Sequence, residues 1–139
     1  MALIRNMKPI LAFILGYLSF HAAEAQRTFE VTIADSTYQM KQYWFVLYTK
    51  GDGAPLDSLE AARLQEAHLA HQSRQAERGL IVMAGPFGKE SGDWRGLLLY
   101  DCESAEEVKQ QLDADPFVKA GRLRYEIRPW YGAVGTKLK

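Results

Sequence analysis

Residues 42–50 read QYWFVLYTK, a run dominated by aromatic and β-branched side chains, and such a run predicts a strand. Successive strand residues point to opposite faces, so Tyr43, Phe45 and Leu47 share one face and Trp44, Val46 and Tyr48 the other. Both faces are apolar. A strand of this kind belongs in the middle of a sheet that is covered on both sides.

Downstream, GDGAPLD (51–57) makes a loop. Asp57 or Ser58 can cap a helix there, with Glu60 near its third position, and Gly79 supplies a left-handed stop after about Arg78. LIVMAG (80–85) is a second strand, and PFGKESGD (86–93) is its turn. WRGLLLYDC (94–102) is a third strand, again apolar on both faces around Leu97 to Tyr100. Ser104 with Glu107 forms an S-x-x-E box that opens a second helix, SAEEVKQQLDAD. DPFVKAG (115–121) is a single capped turn, with Asp115 as N-cap and Pro116 at the first helical position. LRYEIRPW (123–130) alternates apolar and charged residues, as an edge strand with a wet face does. Residues 26–41 are either a short added strand or a loose lead-in.

The order βαββαβ is that of the α+β, ferredoxin-like plan: an antiparallel four-stranded sheet with two helices on one face. In that plan the first and third strands are central, and these are the two-faced strands here. The second sheet face is left apolar and needs a cover. A second copy of the chain provides one, which predicts a homodimer packed sheet to sheet in a dimeric α/β-barrel-like assembly.

The chain has 139 residues, with 17 basic side chains balanced by 17 acidic ones, so there is no basic field for nucleic acid. The first residues stand apart. Arg5 and Lys8 precede the apolar run PILAFILGYLSF (9–20), and Ala23 and Ala25 follow in an A-x-A arrangement. That is the layout of a secretory signal peptide over residues 1–25, cut before Gln26, which predicts a periplasmic or secreted protein. The run is shorter than the ~20 residues of a spanning helix, so no stable membrane insertion is expected after cleavage, a retained anchor being the rival account. The domain division is then a leader at 1–25, an extension at 26–40 and one domain at 41–139. The single cysteine, Cys102, cannot make an internal disulfide and reads as a small buried hydrophobe.

Chemistry can come from few places. RLQEAHLAHQSRQAERG (63–79) puts Leu64, His68, His71 and Gln75 on one helical stripe. Imidazoles suit proton transfer near neutral pH, but both could equally be hydrated groups at the helix boundary. H-x-x-H finds no third or fourth ligand at metal-site spacing, and no metal or other cofactor is expected. Asp115 has a structural role as a cap. It also follows the second helix, and the plan sets the two helices side by side, so it can reach an imidazole on the first and form a dyad with it. The many aromatics are core and dimer packing, with a few free to line a pocket for a small, flat ligand.

Taken in order, YWFVLYTKG, QEAHLAH, VMAGPFG, GDWRGLLLYD and ADPFVKAGRLRYEIRPW resemble the YciI-like (YCII-related) family over roughly residues 41–135. The resemblance implies a dimeric ferredoxin-like fold akin to muconolactone isomerase, and an active site built from a histidine and an aspartate. By motif position these are His68 and Asp115. One relative is a dehydrochlorinase of a chlorinated hydroxyhydroquinone, so the resemblance implies a small cofactor-free lyase or isomerase. The alternative is a non-catalytic periplasmic ligand-binding or stress protein. Fold alone does not transfer a substrate.

Overall fold

The computed structural model describes residues 27–139; the expected leader over residues 1–25 lies outside them. The elements are β1 (Thr28–Ile33), β2 (Ser36–Lys50), α1 (Ser58–Glu77), β3 (Ile81–Pro86), β4 (Trp94–Tyr100), α2 (Ala105–Asp113), α3 (Pro116–Lys119) and β5 (Leu123–Ala133). All strand pairs are antiparallel, with β2 and β4 central, β3 beyond β4, and β5 on the other side of β2. This is an α+β arrangement consistent with the ferredoxin-like plan.

The sheet has five strands rather than four. β2 begins six residues before the aromatic run, and its first part pairs with β1 from Ile33↔Ser36 to Thr28↔Lys41. The hairpin turn uses Ala34 at φ 52°, a left-handed conformation that costs a non-glycine residue about 1–2 kcal/mol. A turn without Gly or Asn gives the sequence no hairpin signal. β1 lies end to end with β4 along the same side of β2. Arg27 secures it there through Asp101 and Glu103, each at 2.8 Å, and Lys41 reaches Asp101 at 2.6 Å. Burial raises the Asp101 carboxyl, but the bonds from Lys41 and Arg27 outweigh it and hold the group below the usual carboxylate range.

The helices cover one face only. Val46 and Tyr48 of β2, with Leu98 and Tyr100 of β4, pack there against Val108 and Leu112 of α2. Each such aliphatic side chain contributes about 1.5–3 kcal/mol on burial. Asp57 caps α1 by accepting from the amides of Leu59 and Glu60, and Gly79 at φ 75° ends it. Ser104 caps α2 by accepting from the Glu107 amide, while the Glu107 carboxylate accepts from the Glu103 amide. Cys102 is buried, and burial pushes its thiol up to about 11, as befits a packed hydrophobe.

One close approach positions the turn before β5. The loop after β2 lies so near Gly121 that a Cβ on Gly53 would sit 2.5 Å from the Ala120 carbonyl oxygen. The Gly53 amide donates to the Gly121 oxygen at 2.8 Å, which ties the end of β2 to the end of α3. That tie holds Tyr48 and the start of α3 in one neighbourhood.

Candidate functional site

The inner stripe of α1 is polar, and its members have different destinations. Gln75, 2 % exposed, accepts a 2.6 Å bond from the Tyr100 hydroxyl and donates to the His71 carbonyl. The His71 Nε2–H donates to the Gln111 carbonyl at 2.8 Å and so ties α1 to the end of α2. His71 is thereby accounted for structurally. His68 is buried and turns toward α3.

His68 Nδ1 stands 2.8 Å from both carboxylate oxygens of Asp115, a residue with no exposed surface. The two residues that the sequence places 47 positions apart are therefore in direct contact. Asp115 also accepts from the Tyr48 hydroxyl at 2.9 Å and from the Phe117 amide at 2.8 Å. The Phe117 ring stacks on the imidazole with centroids 4.4 Å apart, and Tyr48 meets it edge-on at 6.0 Å.

The D-P-F tripeptide is thus one device. Asp115 caps α3 and holds the imidazole. Pro116 occupies the first helical position, where no N–H is required. Phe117 gives its N–H to the cap and its ring to the histidine.

The electrostatics follow from this wiring. Burial raises the Asp115 carboxyl, but the bonds and charge from His68, with those from Phe117 and Tyr48, overcome it and hold the group below the usual carboxylate range. The Tyr48 hydroxyl is driven far above its ordinary value, first by burial and then by the Asp115 charge, with the Gln72 amide acting weakly in the opposite sense. Tyr48 therefore remains a neutral donor that steadies the carboxylate. An ionised Asp115 demands Nδ1–H on the imidazole, so the ring in its neutral form presents Nε2 as an acceptor.

A cavity of about 430 Å³ opens beside that ring, between α1 and the β3–β4 half of the sheet. His68, Gln65, Leu69 and Gln72 come to it from α1, Tyr48, Gly96 and Leu98 from the sheet, and Phe117 from α3. Its wall is mostly apolar with few polar groups, the usual character of a small-molecule site. Gln72, one turn after His68, sets its amide nitrogen 3.0 Å from His68 Nε2.

Two participants escaped the sequence reading. The sequence presents Tyr48 as one apolar-face aromatic of a central strand, although a phenol on the helix-facing side needs a buried partner for its hydroxyl. Gln72 had the i+4 spacing from His68 as its signal.

A family model described as the YCII-related domain matches residues 43–131. No curated protein sequence matches the chain. Among solved structures, the chain is similar to 5-chloro-2-hydroxyhydroquinone dehydrochlorinase from Burkholderia phenoliruptrix AC1100, solved in complex with 2,5-dihydroxybenzoquinone. The two are 25% identical over 63% of this chain and 92% of that one, with a TM-score of 0.46.

Proposed function

We propose, starting from the fact that the chain belongs to the YCII-related domain family, that it is a small acid–base enzyme of the lyase or isomerase kind. One observation carries the reading: His68 contacts the buried Asp115 at 2.8 Å while the same ring lines a mostly apolar cavity. His68 Nε2 takes a proton from the ligand. The charge that appears on the ring is balanced at once by Asp115, which is already ionised and already in place. Tyr48, the Phe117 amide and the Phe117 ring keep carboxylate and imidazole from turning, so no reorganisation is needed during transfer. General base help of this type is worth ~10²–10⁴-fold in rate. The ligand is small and mainly apolar, in keeping with the wall.

In the same proposal the protein acts as a homodimer closed over the open sheet face, after export and loss of the leader. All three helices pack on the face of Val46 and Tyr48. Phe45 and Leu47 of β2, with Leu97 and Leu99 of β4, share the opposite face, and among the described residues no helix lies over it. N-terminal sequencing of the mature protein from the periplasm is expected to begin at Gln26.

The test of the chemistry is deuterium uptake from heavy water into small activated carbon acids, acetylacetone and 1,3-cyclohexanedione among them, followed by proton NMR. The native protein is expected to accelerate exchange, and His68→Gln to abolish the acceleration. Exchange equal in both proteins would overturn the proposal. Binding of these compounds without exchange would favour a ligand-holding protein instead.

A further inference from the structure

We propose that Gln72 is a substrate-recognising residue, and that it selects ligands with an acceptor oxygen two or three bonds from the atom that gives up its proton. The inference rests on the acid–base role of His68 and names the ligand class that this role serves.

The argument begins with a nitrogen that is already occupied. Asp115 takes the Nδ1–H of His68, so Nε2 is the atom left for chemistry. Yet the Gln72 amide nitrogen lies 3.0 Å from it. A neutral ring accepts at Nε2, so the amide there must be presenting its –NH₂ as donor. A base cannot take a proton through a lone pair that is already accepting one. Any reactant must first displace Gln72.

That displacement costs more than a hydrogen bond unless the amide finds a new acceptor, because an unpaired donor in a partly buried, mostly apolar cavity loses its water as well. The ring cannot move to help, being held by Asp115 and stacked on Phe117. The glutamine can, through the rotations of its own side chain. An amide displaced from Nε2 by the incoming atom then lies beside that atom's neighbour. A ligand with an acceptor oxygen two or three bonds from the incoming atom replaces the broken bond, and one with oxygen further along does not.

The chemistry this suits is proton abstraction next to a carbonyl. The C–H bond breaks and its proton goes to His68 Nε2. The electron pair left on carbon forms a C=C bond, and the carbonyl π pair moves to oxygen as an enolate. The Gln72 N–H groups donate to that oxygen, where charge develops. In a ligand with a C=C bond on the far side of the deprotonated carbon, the enolate extends to a dienolate. Return of the proton from His68 to its far carbon then shifts the C=C bond, re-forms the carbonyl and completes an isomerisation with no further reactant. An enediol, or a phenol with an oxygen on the adjacent carbon, sets its second oxygen three bonds from the oxygen that gives up its proton, one bond further than in the carbonyl case and still beside it.

Catechol and resorcinol make a discriminating pair of probes, since they share every atom and differ in whether the two oxygens are on adjacent carbons. Binding to the full chain is measured by calorimetry or by chemical-shift titration. The native protein is expected to prefer catechol about tenfold, the effect of about one hydrogen bond. Gln72→Glu keeps the shape and removes the N–H donors, and it is expected to bring the ratio of catechol to resorcinol affinity close to one. Gln72→Leu should do the same. A native protein that does not prefer catechol, or a preference that survives in Gln72→Glu, overturns the inference. His68→Gln separates the two levels. If it weakens both probes while Gln72→Glu leaves the ratio intact, only the role of Gln72 fails. If native protein and His68→Gln bind both probes alike, or native protein binds neither, the reading of the site fails with it.

Discussion

Replacing Asp115 with Asn removes a charge while preserving shape, and the structure says which bonds then fail. The carboxylate accepts from His68 Nδ1 at both oxygens, from the Tyr48 hydroxyl and from the Phe117 amide. An amide has one oxygen. Kept on the Phe117 N–H, it turns its –NH₂ toward Tyr48 and His68, both of which are donors. The conflict resolves if the imidazole moves its proton to Nε2 and accepts at Nδ1. The nitrogen facing the cavity then becomes a donor and the base is lost. Each bond to a charged group is worth about 1.5–3 kcal/mol, partly offset because a carboxylate no longer has to be buried. The expected net destabilisation is about 2 kcal/mol, or roughly 10 °C in Tm for a domain of this size. Exchange activity should fall ~10²–10⁴-fold. Nitrogen-15 NMR of the imidazole reads the tautomer directly, and thermal unfolding reads the stability. The pH dependence has a fixed sign. The folded Asp115 titrates below its unfolded value of ~3.9, so between the two values the unfolded chain binds more protons and stability rises with pH. The contribution is complete above about pH 4 and is lost as pH falls through the folded value, so the native protein's advantage over Asp115→Asn should shrink in strong acid. A variant that keeps Nδ1–H and full activity, or an advantage that does not shrink in acid, would refute this account of the dyad.

His71→Ala should cost about 1 kcal/mol through loss of its bond to Gln111, with exchange activity unchanged, as unfolding and exchange measured side by side will show. Tyr100→Phe leaves the buried Gln75 oxygen without its 2.6 Å donor and should lower stability by about 1–3 kcal/mol in a denaturant titration. Gly96→Val should block ligand binding while the protein still folds, since a Cβ at Gly96 meets Tyr48 and the Gly85 carbonyl at 3.5 Å, ordinary contact, and the further methyl groups occupy the cavity; circular dichroism and probe titration check both halves. Leu47→Lys, on the face away from the helices, should convert the proposed dimer to a monomer in analytical ultracentrifugation.

The parts of the fold that were legible in the sequence are those where local chemistry and burial agree. QYWFVLYTK and the Leu97–Tyr100 run are apolar on both faces, and they form the two central strands. The capping residues Asp57, Ser104 and Asp115 all accept the amides expected of them, because a short polar side chain before a helix has few other uses. The added strand was one of two readings open for residues 26–41 and is present as β1, but its hairpin pairing with β2 was illegible for two physical reasons. STYQMK is mainly polar and largely exposed along its first part, and Ala34 adopts a conformation that its residue type does not announce. Of the site, the His68–Asp115 pair could be anticipated from the relation of α1 to the turn before β5. The Tyr48 bond could not, since strand alternation gives the face of a side chain but not the partner of its hydroxyl.

In the proposed reading, folding and chemistry are hard to separate in a domain this small. Asp115 is an N-cap, a buried acceptor for a core phenol, and the partner of an imidazole. A carboxylate used only as a cap would sit at the surface, where water competes and such a bond is worth about 1 kcal/mol. Here burial makes the charge expensive unless every donor stays in place. The donors come from β2, α1 and α3, so each of these elements must be correctly seated before the charge is satisfied. A misplaced α1 would therefore leave a buried, unpaired carboxylate, which is strongly destabilising. The cost of the buried charge thus enforces the alignment of His68 with the cavity. The geometry that positions the proposed base is then the same geometry that satisfies the buried carboxylate of the turn before β5.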